Sequence, residues 1–182
     1  MNLSSVPPKD VPLGSEASLP EAHSWAVAWT VSHGEYALEE YLQRHEVPCF
    51  FPRINKRRIY KSGLKKWSTP LFPGYVFYDF MAIERHRVLE SKKVAQILQP
   101  GDPEQLKREL LELARAIQAD ANLKETRFGQ AGRLVYIARG PLKGLHGELL
   151  RLGSESRLIL KVSFLGKAVE MAVDEAYAEP VI

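Results

Sequence analysis

The densest chemistry in this 182-residue chain is positive charge. RINKRRIYKSGLKKW (53–67) carries Arg53, Lys56, Arg57, Arg58, Lys61, Lys65 and Lys66, seven cations in fifteen residues, and no acidic residue stands between Glu46 and Asp79. Cations at that density suit a phosphate backbone, and like charges this close repel unless a partner offsets them. Ser62-Gly63 predicts a turn, so the stretch reads as a basic β-hairpin with its tip in solvent. Arg57, Arg58, Lys61, Lys65 and Lys66 are the candidate nucleic-acid contacts. A solvated loop is the plainer alternative. Tyr60 and Trp67 stack on a base or pack the turn.

Catalytic chemistry is poorly supplied by comparison. His23, His33, His45, His86 and His146 show no metal-ligand spacing, and no Ser or Cys nucleophile motif surrounds any of them. Glu39-Glu40 reads as a solvated helix face rather than an acid/base pair. Gly140 and Gly144 bracket a turn without the Lys-Ser/Thr of a phosphate loop. The single Cys49 has no disulfide partner and sits in an apolar run. The expectation is therefore no enzyme, no metal and no cofactor.

The elements that must position the cations centre on WSTPLFPGYVFYDF (67–80). Pro70, Pro73 and Gly74 mark a tight entry, and Tyr75–Tyr78 reads as a strand with Tyr75 and Phe77 on one face. SWAVAWTV (24–31) predicts another strand, placing Trp25, Val27, Trp29 and Val31 together on a bulky face that is core or a partner surface. Gly34–His45 looks helical through Leu38, Tyr41 and Leu42, and CFFPRI (49–54) leads into the hairpin as a strand. A short helix follows over 82–90 and a strand over 94–100. Asp102 as N-cap, Pro103 and Gln105 then open a helix to about 117, with Leu106, Leu110, Leu113 and Ile117 at helical spacing.

These elements imply an α+β module, a mostly antiparallel sheet with flanking helices, over 24–117. Residues 1–23, rich in Pro and Ser, read as a flexible tail, and 118–127 as a polar linker. From 128 to 182 the pattern is purely β: RLVYIA, LHGELLRL, RLILKVSF and AVEMAV are separated by glycine turns, which suggests a small C-terminal barrel. Period-two alternation through 158–173 argues for strands there rather than helix. Residues 24–117 hold 15 basic and 11 acidic residues and 128–182 hold 7 and 6, so the basic character is local to the first module. Hydrophobic content of 45% is ordinary for a globular chain. No apolar run reaches membrane-spanning length and no signal peptide is evident, so a cytoplasmic protein without membrane association is expected.

Ser24-Trp25, the helix after Gly34, PLFPGYVF (70–77) and the helix at 103–117 resemble the N-terminal (NGN) domain of the NusG family. FGQAGRLVYIARGPLKGLHGELLRL resembles that family's C-terminal KOW domain, with Gly140-Pro141-Leu142 and Gly144-Leu145-His146-Gly147 matching its glycine turn. The resemblance covers 24–181. EVPCFFPRI…STPLFPGYVFYDF is most similar to the RfaH-like specialised antiterminators.

The resemblance implies a transcription elongation or antitermination factor. It implies an apolar pocket for the clamp helices of the largest catalytic RNA polymerase subunit, formed by Trp29, Phe72, Pro73, Tyr75 and Phe77. The hairpin would then face upstream DNA and the non-template strand. His86 falls where the group contacts the opposite lobe through a His-Thr-Thr-like loop, but Arg87-Val88 follow here. RfaH-like relatives fold the C-terminal segment as a helical hairpin over the pocket, held by an acidic residue just ahead of PLFP. This chain has Thr69 there, and a β resting state is expected. Two other readings stay open: a housekeeping NusG that recruits Rho, or a KOW-type RNA- or ribosome-binding protein without polymerase contact. A small-subunit ribosomal protein or Rho is the partner implied for the KOW domain.

Overall fold

A computed structural model describes residues 19–60, 63–119, 121–126, 129 and 132–181. The expectations for the first eighteen residues and for Lys61 lie outside these. Strand β1 (Trp25–Thr30) is central in the first sheet. It pairs antiparallel with β5 (Tyr75–Asp79) on one side and β6 (Val94–Leu98) on the other, and the two-residue β2 (Cys49–Phe50) closes the far edge. The long strands β3 (Arg53–Tyr60) and β4 (Gly63–Pro70) form a separate two-stranded sheet, the expected hairpin.

Side-chain alternation on β1 and β5 sends two sets of residues to opposite faces, and each face has its own helix layer. Ala26, Ala28, Val76 and Tyr78 pack with Leu38 and Leu42 of α1 (Glu35–Arg44) and with Val88 of α2 (Arg85–Glu90). The small side chains on β1 let α1 approach closely. On the other face Trp25, Val27 and Phe77 meet Leu106, Leu110 and Leu113 of α3 (Pro103–Gln118). The Asp102 carboxylate accepts from the Gln105 N–H at 2.9 Å, the cap that Asp-Pro-x-Gln predicts.

The C-terminal part is a six-stranded antiparallel sheet. In chain order it comprises β7 (Lys124–Thr126), β8 (Arg133–Ile137), β9 (His146–Leu152), β10 (Glu155–Val162), β11 (Lys167–Val173) and β12 (Ala178–Pro180). Their spatial order is β12-β8-β9-β10-β11-β7, and among the described residues no ladder joins the outermost strands, so the expected barrel is here an unclosed sheet. Residues 145–160 are strand and turn, not helix. Gly147 is required by packing: a Cβ there would lie 2.7 Å from the Ile159 carbonyl oxygen.

Three local features differ from the sequence reading. Within the stretch expected as a linker, Lys124–Thr126 pairs with Ala168–Glu170 of β11. Ahead of Ser24, Leu19 and Ala22 pack against the core, and both the backbone N–H and Nδ1 of His23 meet the buried Asp79 carboxylate, at 2.8 and 3.0 Å. The third concerns the two modules, which share one core. A single cluster runs from Trp25 and Val27 through Leu106, Leu110 and Leu113 to Val135, Ile137, Leu158 and Val162. Helix α3 is thus buried on two sides. Its carboxylates also cross over: Glu109 accepts from the Ser163 N–H at 2.8 Å and Glu112 from the His146 N–H at 2.9 Å.

Candidate functional site: an aromatic patch beside a basic hairpin

The turn at 72–75 joins the hairpin to β5, so Pro73, Tyr75 and the cationic candidates grow from one continuous segment, with Trp29 contributed by β1. Gly74 sits at φ +88°, a conformation that only glycine adopts without strain. Its N–H donates to Glu35 Oε1 at 2.8 Å, and its carbonyl accepts from the Thr30 N–H at 2.8 Å and from Thr30 Oγ1 at 3.3 Å. Both partners are buried, Glu35 at the first turn of α1, where the helix dipole favours a carboxylate. Gly74 is therefore held from both sides, and the Trp29 indole lies against it.

That clamp displays Trp29, Pro73 and Tyr75 together. Trp29 is 46% exposed, Pro73 is exposed and Tyr75 half-buried; Trp29 and Tyr75 are directly opposed in the β1–β5 register. Phe72 and Phe77, the other two pocket candidates, are fully buried in the shared core. They support the patch from beneath rather than offering surface, because α3 covers the face to which alternation assigns Phe77.

On the hairpin, Lys56, Arg57, Arg58, Lys65 and Lys66 are all exposed. Arg57 lies directly opposite Lys66 and Arg58 directly opposite Lys65, like charges in register, which is unfavourable for an isolated ladder. Arg58 stacks over Tyr60 at 5.3 Å, and Trp67 is half-buried opposite Lys56. Arg53 is different: it is fixed by Glu39 at 2.9 and 3.1 Å and packs on the rings of Phe51 and Tyr36, so it anchors the hairpin base. Burial pushes the Glu39 carboxyl up despite Arg53, and burial likewise raises the Cys49 thiol to about 12, which leaves it inert at neutral pH.

Thr69, just ahead of the 70–73 turn entry, has a buried hydroxyl with no hydrogen-bond partner among the described residues. His86 is exposed and pairs with Glu84 at 3.1 Å. Among the described residues no cluster of His, Cys, Asp or Glu could hold a metal ion, and no helix is long and apolar enough to cross a membrane. The contribution of Glu35 and Thr30 was not foreseen. Their partner lies some forty residues away, and the only local hint is an acidic residue just after Gly34.

Pro73, Tyr75 and the hairpin cations thus lie on one chain segment, with Trp29 of β1 beside its Gly74 turn. Residues 23–115 match the family model described as transcription termination factor NusG, and the chain belongs to the NusG family of transcription elongation and termination factors. Proteins of this family bind RNA polymerase.

Proposed function

We propose that this protein is an elongation and antitermination factor that docks an apolar helix tip of the RNA polymerase clamp on the Trp29–Pro73–Tyr75 patch and lays its hairpin along the displaced DNA strand. By holding the clamp closed and restraining the non-template strand it disfavours pausing. The observation that carries this reading is the continuity of the segment. Pro73, Tyr75 and the cations lie on one continuous segment and Trp29 of β1 is held against its Gly74 turn, so one docking event positions both. Exposed aromatics around a fixed glycine turn are the kind of group that supplies most of the energy at an interface. The C-terminal sheet is the KOW domain in this reading.

The test is binding to core polymerase. Tyr75→Ala weakens binding by roughly 1–3 kcal/mol with the melting temperature nearly unchanged. Unchanged affinity in a folded variant removes the patch from the interface, and absence of any polymerase capture leaves the RNA- or ribosome-binding alternative. Transcription through a Rho-dependent terminator then separates antitermination, which increases read-through, from a housekeeping factor that recruits Rho.

A further inference from the structure

No hydrogen-bond ladder ties the hairpin to the rest of the protein: among the described residues β3 and β4 pair only with each other. The Pro52 carbonyl accepts from the Leu71 N–H at 2.8 Å, but that bond joins one leg of the hairpin to the other. Ile54 packs against the core, and an apolar contact alone is non-directional. Direction comes from Arg53, the first residue of β3. Its Nη1 donates to Glu39 Oε2 at 2.9 Å and its Nη2 to Oε1 at 3.1 Å, a two-pronged pairing between two planar groups. The guanidinium lies over the Phe51 ring at 5.1 Å and the Tyr36 ring at 5.7 Å, and those rings meet edge to face. Tyr36 and Glu39 stand one turn apart on α1, so the helix grips a single side chain of the hairpin. The two charged side chains are only 22% and 14% exposed, and salt screens such a pair weakly. A pair this buried adds little net stability over apolar packing, because desolvation offsets the attraction; what it can supply is geometry. Leverage makes that geometry matter. At about 3.3 Å per residue the Tyr60 end of β3 lies roughly 23 Å from Arg53, where a tilt of about 10° displaces it by about 4 Å.

We propose that Arg53 and Glu39 are positioning residues: they set the direction in which the hairpin leaves the body, and that direction decides whether the aromatic patch and the hairpin cations reach their targets together. Arg53 is thereby set apart from the other cations of 53–67, since its charge is committed to Glu39. Two contacts on one body reinforce each other only when geometry lets both form at once. The functional half of this inference rests on the docking proposed above, whereas hairpin direction is a property of the free protein.

Direction is measured on the full chain by double electron–electron resonance. Nitroxides are placed at Leu64→Cys on β4 and Arg108→Cys on α3, both exposed positions, in a Cys49→Ala background. The parent is expected to give one narrow distance distribution. Arg53→Lys, which keeps the charge but loses the fork, broadens it about twofold or more. Arg53→Met/Glu39→Met, an apolar replacement of the whole pair, melts close to the parent yet broadens the distribution as much. Asn55→Ala, exposed on the same strand, leaves it unchanged. A parental distribution in both Arg53 variants overturns the inference, whatever happens to their melting temperatures, and so does a broad distribution in the parent. For the functional half, Arg53→Lys weakens binding to a polymerase elongation complex about tenfold, while binding to core polymerase alone and to a free oligonucleotide stays parental. Broadened distances with parental affinity for the elongation complex overturn the coupling. A parent protein that fails to capture core polymerase removes the proposed docking instead, and the distances still decide whether Arg53 and Glu39 set the direction.

Discussion

Two buried carboxylates organise the first module, and each does so by gripping backbone. Glu35 holds the Gly74 N–H and with it the turn that displays Trp29, Pro73 and Tyr75. Glu35→Ala leaves that N–H unsatisfied and costs about 1–3 kcal/mol. Glu35→Gln keeps an acceptor oxygen and recovers part of the loss. Exchange of the Gly74 amide followed by NMR checks this: fast in the alanine variant, slower in the glutamine variant. Asp79 behaves differently because it titrates against the fold. Burial alone would raise its pKa, but hydrogen bonds from His23, Met81 and Ser24 outweigh that and hold it below the ordinary carboxylate value. A folded pKa below the unfolded one means the stabilisation is complete above the unfolded value and is lost as pH falls through the folded one, hence below about pH 4. Asp79→Asn lowers the melting temperature at pH 7 and flattens its acid decline, as measured by calorimetry from pH 2 to 7. Neither role was legible in the sequence. Both join residues far apart in the chain, and a lone Glu or Asp in a polar context looks like surface.

At the scale of elements, the hairpin carries an internal conflict that mutation can expose. Replacing Arg57 and Arg58 by glutamate converts both opposed like pairs into opposite pairs with Lys66 and Lys65. Each swap favours the ladder by roughly 0.2–1 kcal/mol, so the double variant is as stable as the parent or more so, while its nucleic-acid affinity falls. Melting curves and anisotropy on the same sample decide it; loss of both properties together would mean the cations serve the fold. The hairpin was readable in advance because charge density and Ser-Gly punctuation are local signals, as was α3 through its Asp-Pro cap and leucine spacing. The three-residue strands β7 and β12 were not. Segments that short have no periodicity of their own and become strands only because β11 and β8 offer an edge. The burial of Phe77 escaped for a related reason: alternation assigns a residue to a face but does not say that α3 covers it.

For the whole molecule, the shared core around α3 makes the two modules a single thermodynamic unit. Full-length protein is expected to melt in one transition, seen identically by near-ultraviolet signal and by calorimetry. Glu109→Ala/Glu112→Ala broadens or splits that transition, because the buried apolar contact alone then joins the halves. Two separated transitions in the parent chain would show that docking is too weak to couple them. The pairing of β7 adds a consequence of its own. It leaves only five residues, 119–123, between the end of α3 and the first strand of the C-terminal sheet. A tether that short confines the sheet near its seat at a very high effective concentration, of millimolar order or above. A contact that would be negligible between separate molecules is therefore populated within one chain. Lengthening that tether by a flexible insert would dilute it, tuning how often the sheet leaves its seat without altering any contact surface.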